Sequence, residues 1–169
     1  SPLRRLGQSP EKVLGGLVQE GMCVVEPGCG FGFFSLPMAE MVGTSGKVVS
    51  VDVEARVAEK LRRRAQRAGL AERMEIRSCT TRDLGLGDFR GQVDLVVAIH
   101  MVHELEDRPS FFRQAFELLK PGGRMLLVEP KGHVTRELFE EETGECLQAG
   151  FVVDEDEERT SHRVVLIRT

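Results

Sequence analysis

The 169-residue sequence contains no tryptophan and no tyrosine, and its aromatic side chains are nine phenylalanines. Nucleic-acid-binding surfaces stack bases on aromatic side chains, so such a surface would have to be built from phenylalanine alone. The net charge is −4, from 23 basic and 27 acidic residues. This balance gives no electrostatic reason to expect nucleic acid or an anionic membrane as a partner.

The sequence also lacks long apolar runs and paired cysteines. No uninterrupted apolar run approaches the roughly 18 residues that cross a bilayer, and the N-terminal residues include no hydrophobic signal-peptide segment. The cysteines form no CxxC pair and match no zinc-binding spacing; they are Cys23, Cys29, Cys79 and Cys146. We therefore expect a cytoplasmic protein with reduced thiols, without a membrane segment and without a metal site.

Strand and helix patterns alternate along the chain. Short apolar segments predict strands at residues 22–26, 47–52, 74–77, 93–99 and 124–128. Amphipathic segments predict helices at residues 34–42, 55–68, 109–119 and 135–149. Strands separated by helices of this length are typical of a parallel sheet with helices on both faces.

Both ends of the chain add a smaller element. Ser9 is a good N-cap with Pro10 after it, which predicts a short helix that ends at Gly21. Two closing strands, at residues 151–156 and 162–168, are joined by a short polar link. Such a link predicts a hairpin, and a hairpin is antiparallel.

The length and composition fit one globular domain. We expect a single α/β domain over residues 1–169, in which residues 1–21 form a short N-terminal helical segment. In such sheets ligands bind at the carboxyl ends of the strands. The residues that directly follow each predicted strand are therefore the first candidates for function.

A glycine loop follows the first strand. Gly28, Gly30 and Gly32 stand at alternate positions between a strand and a helix, and Asp52 ends the second strand twenty residues later. Glycines permit a tight turn and let a ligand approach the backbone, and the following helix N-terminus offers free amides. An acid in the place of Asp52 can accept both hydroxyls of a ribose. The pattern therefore predicts a nucleoside-containing cofactor.

Two other interpretations of this loop stay open. The dinucleotide fingerprint needs a glycine where the sequence has Phe33. Glu26, two residues before Gly28, would repel a pyrophosphate but suits a cationic amine. An NAD-dependent dehydrogenase is one alternative, although both of these features count against it. A non-catalytic module that keeps the cofactor pocket is the other.

Taken together, these segments resemble the class I S-adenosylmethionine-dependent methyltransferases. The family's motifs resemble residues 24–32 (VVEPGCGFG), 48–54 (VVSVDVE), 93–105 (VDLVVAIHMVHEL) and 118–132 (LLKPGGRMLLVEPKG). With the closing hairpin, the resemblance extends over residues 9–168. It implies S-adenosylmethionine as the cofactor and a Rossmann-like three-layer sandwich, with a mostly parallel seven-stranded sheet and a C-terminal antiparallel hairpin.

The resemblance also implies which residues hold the methionine half of the cofactor. By position, Glu26 would meet the methionine amino group, often through water. The main chain of Gly28, Cys29, Gly30 and Gly32 would line the cofactor.

For the nucleoside half, the resemblance implies that Asp52 holds the ribose hydroxyls and that Val53 packs beside the adenine. Cys79 stands where the family often has an acid that accepts from the adenine amino group. The Thr80 hydroxyl or Asp83 would substitute for that acid, or the contact would be made by backbone alone.

Methyl transfer from a sulfonium is an in-line displacement, in which the protein mainly positions the attacking atom. A general base helps only when the acceptor must lose a proton. His100 follows the fourth strand, where it would flank the reactive methyl group as part of the cofactor site, and His133 follows the fifth. We therefore take His100 and His133 as candidate catalytic residues. His103 is interpreted as a packed histidine that ties its loop, and its spacing to Glu104 matches no metal motif.

The acceptor is expected to be a small molecule. Cys29 and Cys79 lie at the same predicted edge, which leaves a thiophilic acceptor such as arsenite as an alternative. Only residues 1–21 precede the first strand, and no long insertion supplies the helical lid of many small-molecule methyltransferases. We therefore expect an acceptor site that is open, or covered by a second subunit of a homodimer or by a partner. Since the chain begins with Ser1 rather than Met, we also expect a trimmed N-terminus.

Overall fold

One seven-stranded sheet organises residues 8–169, the part of the chain that the computed structural model describes. Its strands are β1 (Cys23–Pro27), β2 (Lys47–Asp52), β3 (Met74–Ser78), β4 (Val93–Ile99), β5 (Leu119–Val128), β6 (Phe151–Val153) and β7 (Arg163–Arg168). The α-helices are α1 (Pro10–Leu14), α2 (Ser35–Val42), α3 (Ala55–Arg67), α4 (Arg108–Leu118) and α5 (Arg136–Gln148). The strand order is β3-β2-β1-β4-β5-β7-β6, and β7 is antiparallel to both of its neighbours. The predicted sheet and its antiparallel closing hairpin are confirmed.

Side chains of the strands alternate between two hydrophobic cores, one on each face of the sheet. In β1, Val24 packs into the core that contains side chains of α1 and α2, whereas Val25 packs into the core that contains side chains of α4 and α5. Successive side chains of a strand point to opposite faces, so a strand covered on both faces is apolar at nearly every position. The result is the three-layer α/β sandwich that the sequence predicts.

The N-terminal helix is shorter than predicted. Ser9 does cap α1, because its hydroxyl accepts from the Lys12 amide. The helix ends at Leu14, with Gly15 as its C-cap, rather than at Gly21, since Gly15 and Gly16 adopt φ of 59° and 80°, values that end an α-helix and favour glycine. Residues 1–7 of the predicted helical segment lie outside the described residues.

Two strand boundaries differ from the prediction by more than one residue. Leu119 directly follows α4 and already pairs with Val93, after which the register shifts so that Leu95 pairs with Arg124. β5 therefore begins at Leu119, directly after the helix, rather than at residue 124 as predicted. β6 ends at Val153 instead of residue 156. Directly after it, Oδ1 of Asp154 accepts from the Asp156 amide at 3.1 Å in the following turn.

Within residues 8–169, no helix combines the length and the apolar character needed to cross a membrane.

The packing of α4 leads to a stability prediction. Phe112 is 0% exposed in the core under this helix, and we expect Phe112→Ala to lower the free energy of unfolding by about 3–5 kcal/mol because it leaves a cavity. The matched control is Phe31→Ala. Phe31 is 48% exposed, and the cations of Lys60 and Arg64 lie over its ring, a contact worth about 0.5–1 kcal/mol. Urea unfolding measures both, and equal losses would contradict the placement of α4.

Candidate functional site

A cleft of about 420 Å³ lies at the carboxyl ends of β1 to β4. Its volume falls within the roughly 300–1,000 Å³ that small-molecule sites occupy. The chain runs outward through β1, β2 and β3 and then returns to place β4 on the other side of β1. Such a reversal of strand order is where open α/β sheets bind ligands. Seven of the predicted site residues line this cleft: Gly28, Gly30, Asp52, Val53, Cys79, Thr80 and His100.

Two glycines of the loop, Gly30 and Gly32, are needed for different steric reasons. Gly30 has φ of 54° and lines the cleft, and a Cβ atom built on it would meet nothing within 4 Å. Gly32 has φ of 94°, and its Cβ would lie 2.5 Å from Cδ1 of Leu61 in α3. Gly30 therefore leaves room on the cleft side, whereas Gly32 makes room for α3 and does not line the cleft.

Asp52 joins the glycine loop to the second strand. Its Oδ2 accepts from the Gly30 amide at 3.1 Å, and its Oδ1 accepts from the Glu54 amide at 3.1 Å. An ionised carboxylate has about four lone-pair sites, so these two bonds leave capacity for further donors. Because Asp52 also lines the cleft, it can brace the loop and accept from a diol at the same time.

Glu26 is placed differently from the prediction. It is 5% exposed and does not line the cleft. Its carboxylate accepts from the hydroxyl of Ser35, the first residue of α2, and from the Ser50 hydroxyl at 3.4 Å. Burial raises the pKa of Glu26 to about 7, although both hydroxyl hydrogen bonds act in the opposite direction. The hydroxyls of Ser35 and Ser50 thus bind the Glu26 carboxylate, which was expected to face a ligand amine.

The two cysteines near the loop are also separated. Cys79 lines the cleft. Cys29 belongs to the glycine loop, but it is buried and does not line the cleft. Burial raises the pKa of the Cys29 thiol far above its ordinary value, and burial also raises the pKa of Cys79 to about 11. Thiolates are the reactive form of cysteine, so neither thiol is activated at neutral pH.

The segment after β3 closes one wall of the cleft. The Thr80 hydroxyl accepts from the Asp83 amide at 2.9 Å, and Asp83 in turn accepts from the Gly85 amide at 2.8 Å. Gln114 of α4 ties this segment to the helix, because it accepts from the Leu84 amide at 3.0 Å. Thr80 and Asp83 both line the cleft, as the alternatives to Cys79 require.

His100 is held in an unusual backbone conformation at the end of β4. Its φ is 59°, in the left-handed region that few residues other than glycine adopt. Its Nδ1 is buried and has no hydrogen-bond partner among the described residues. Burial lowers the pKa of His100 to about 4, and His103 and His133 add to the effect. The imidazole is therefore neutral at physiological pH.

His133 lies outside the cleft, contrary to its predicted role at the acceptor. It is exposed, and its ring stacks on that of His103 at a centroid distance of 6.4 Å. Nδ1 of His103 lies 3.2 Å from each oxygen of Glu129, and the His103 amide donates to the same carboxylate at 2.9 Å. The interpretation of His103 as a packed histidine fits these contacts.

Sequence reasoning missed the wall that comes from the loop after β4 and from α4. That wall includes Met101, Glu104, Leu105, Glu106, Asp107, Phe111 and Gln114. The signal available was the position of this loop directly after a strand beside β1. The lining as a whole has six carboxylates, from Asp52, Glu54, Asp83, Glu104, Glu106 and Asp107. Arg82 is the one arginine or lysine in this lining, so the excess of acidic residues gives the cleft a negative potential.

Throughout residues 8–169, no group of three or more His, Cys, Asp or Glu side chains is placed to hold a metal ion.

Comparison with known proteins gives consistent matches. Residues 18–161 match the family model of the methyltransferase domain. An arsenite methyltransferase of Aquipseudomonas alcaligenes is 33% identical over 137 residues, which are 76% of this chain and 39% of that protein. Phosphoethanolamine N-methyltransferase 1 of Triticum aestivum is 27% identical over 112 residues, 66% of this chain and 21% of that enzyme. The chain thus spans well under half the length of these relatives.

A solved structure extends the likeness to the whole fold. The crystal structure of a SAM-dependent methyltransferase from Aquifex aeolicus superimposes with a TM-score of 0.82 and 24% identity. The match covers 99% of this chain and 92% of that one.

The glycine geometry leads to a prediction with a built-in comparison. Both Gly32→Ala and Gly30→Ala strain a positive φ, but only the new methyl group at residue 32 meets the buried Leu61 side chain. We expect Gly32→Ala to destabilise the fold by about 1–3 kcal/mol more than Gly30→Ala, which is the cost of overpacking. Gly30→Ala should instead weaken binding of S-adenosylhomocysteine. Thermal unfolding and titration calorimetry separate the two effects, and the reverse pattern would contradict them.

Proposed function

The chain belongs to the class I S-adenosylmethionine-dependent methyltransferase family, and we propose that it transfers a methyl group from this cofactor to a small-molecule acceptor. The observation that carries the proposal is the cleft at the strand-order reversal. There Gly28, Gly30, Asp52 and Val53 meet, with open space beside Gly30 and spare acceptor capacity on Asp52.

The charge of the cleft supports a sulfonium cofactor over a dinucleotide. Six carboxylates face one guanidinium in the lining. Such a surface attracts a sulfonium and an ammonium and repels a pyrophosphate. The discrimination first ascribed to Glu26 therefore belongs to the cleft lining, since the Glu26 carboxylate is turned into the protein.

The protein's own groups have limited but definite tasks in this reaction. When bound, S-adenosylmethionine supplies an electrophilic methyl group. We propose that Asp52 accepts the ribose hydroxyls, that the main chain of Gly28 and Gly30 lines the methionine portion, and that Val53 packs beside the adenine. His100, with its pKa lowered to about 4, is too weak a base to remove a proton efficiently at neutral pH. Its neutral imidazole is suited to position the acceptor by hydrogen bonding.

Membership of the family identifies the cofactor but not the methyl acceptor. The names of the two relatives above describe methylation of an amine and of arsenite. For this chain, the case for arsenite is weak because Cys79 lines the cleft and Cys29 does not. An organic small molecule is therefore the proposed acceptor class.

Two further expectations remain proposals. The wall after β4 presents the exposed side chains of Glu104, Glu106 and Asp107. The acceptor would meet this wall in an open cleft, or under a second subunit or a partner. The cytoplasmic location expected from the sequence also stays a prediction.

Loss of the Asp52 charge tests the cofactor assignment. We expect Asp52→Asn to weaken binding of S-adenosylhomocysteine roughly 10- to 100-fold, because hydrogen bonds to a charged group contribute about 1.5–3 kcal/mol. Asp156→Asn, the same change at an exposed residue of the closing hairpin, should leave the affinity unchanged. Titration calorimetry measures both. Saturable binding of NAD without binding of S-adenosylhomocysteine would refute the assignment.

Removal of the His100 side chain tests the acceptor side. Cell-extract fractions with a labelled methyl donor would identify a methylated product, and no product in any fraction would favour a non-catalytic module. With that acceptor, His100→Ala should lower turnover at least tenfold, while cofactor affinity changes less. His133→Ala should have a smaller effect than His100→Ala because His133 lies outside the cleft. An equal effect on turnover would contradict the proposed role of His100.

A further inference from the structure

A buried carboxylate anchors the turn that follows β4. This turn, residues 100–104, is called the acceptor-side turn here because, under the proposed function, it borders the acceptor. It contains the short 3-10 helix Val102–Glu104, and His100, Met101 and Glu104 of the turn line the cleft. Glu129, directly after β5, has a fully buried side chain that accepts from the His103 amide at 2.9 Å and faces Nδ1 of His103 at 3.2 Å.

A second buried carboxyl group stands behind the first. Glu142 of α5 is 0% exposed, and its carboxyl group lies within hydrogen-bonding reach of that of Glu129. Neither oxygen of Glu142 has a donor among the described residues. Two ionised carboxylates cannot donate a hydrogen bond to each other, and their negative charges would repel each other strongly in a medium of low dielectric constant. One proton on the pair supplies the missing donor and removes one of the two charges.

Among residues 8–169, no lysine or arginine forms an ion pair with Glu129 or Glu142, and the basic side chain in contact with the pair is the imidazole of His103, which lies against Glu129. The guanidinium of Arg108 in α4 acts to lower the pKa of both carboxyl groups, but it forms its ion pairs with Glu145 at 2.8 Å and Glu141 at 3.4 Å. The other titratable groups that face the pair are His103 and Glu104 from the turn and Cys146 from α5. Glu142 has no basic partner among the described residues, so a proton is the available means of neutralising its carboxylate.

We propose that Glu129 and Glu142 are positioning residues that share one proton and thereby hold the acceptor-side turn in the conformation that places His100 in the cleft. Glu129 makes the contacts to the turn, and Glu142 fixes Glu129 from behind. The inference rests on the proposed function only for the consequence at the acceptor. The link between the pair and the turn stands on the contacts themselves.

The pair makes the turn sensitive to pH in a defined direction. Burial raises the pKa of both Glu129 and Glu142, so the folded protein keeps a proton that the unfolded chain releases at about pH 4.3. The contribution of the pair to stability is complete in acid and is lost as pH rises through the raised pKa values. Glu26, whose pKa is raised to about 7 by burial, adds a pH dependence of the same sign elsewhere in the fold.

Hydrogen exchange at the His103 amide tests the pair without any cofactor. Between pH 6 and pH 8.5, the protection factor of this amide in the unaltered chain should fall. The fall should be about tenfold for each pH unit between pH 6 and the raised pKa. In Glu142→Gln a side-chain amide donates to Glu129 at every pH, so the protection factor should fall less than in the unaltered chain, with only the contribution of Glu26 remaining. An equal fall in both proteins would overturn the proposal.

Two further variants make the result decisive. Glu141→Gln is the same change on the same helix at an exposed position, and it should behave as the unaltered chain does. A pH-independent protection factor in Glu141→Gln would overturn the proposal. Glu129→Gln keeps an oxygen for the His103 amide and gives Glu142 a permanent donor, so it should match Glu142→Gln. Failure of both Glu129→Gln and Glu142→Gln to fold would also overturn the proposal, because a permanent donor should replace the shared proton.

A binding measurement connects the turn to the cleft. Affinity for S-adenosylhomocysteine should fall at pH 8.5 in the unaltered chain relative to Glu142→Gln, and the two should agree at pH 6. Equal affinities at pH 8.5 would overturn the link to the cleft. Absence of binding in all variants at both pH values would instead contradict the proposed function and leave the exchange result standing.

Discussion

The carboxylate of Asp52 is the contact on which the geometry of the cleft depends. It accepts from the amide of Gly30, while the Val51 carbonyl beside it accepts from the amides of Gly28 and Cys29 at 2.8 and 3.1 Å. These bonds pull the glycine loop of β1 onto the end of β2 and set its backbone facing the cleft. A single acidic residue therefore shapes the loop and remains available to a ligand, because a carboxylate can accept several hydrogen bonds at once.

The acidic side chains fall into two groups with opposite roles. Those that line the cleft keep contact with solvent and give the cleft a negative potential that suits a cationic cofactor. Glu26, Glu129 and Glu142 are buried, and burial raises the pKa of each. The first group gives the cleft its excess of acidic residues, whereas the second supports turns and helix ends by hydrogen bonds that a partly protonated carboxyl group can make.

Much of the fold and part of the site could be predicted from local patterns. The apolar strands, the Ser9 cap and the alternating glycines are determined by neighbouring residues, so they could be recognised one segment at a time. The side-chain direction of Glu26 could not, because the two hydroxyl donors that turn it inward come from α2 and β2. His133 failed as a cleft residue for a similar reason. It follows a strand as expected, but its side chain is exposed outside the cleft, where its ring lies parallel to that of His103.

The sequence by itself determined the class of the fold, the family and the loop and acid that bracket the predicted cofactor, since each of these is carried by a short run of residues. Only the tertiary structure decided which acids face the cleft and which are buried. Glu129 follows β5 and Glu142 lies in α5, the next element along the chain, and the two carboxyl groups meet because both elements contribute to one core. The environment of a titratable group depends on what surrounds it in space, and that environment is complete only when the layers have assembled.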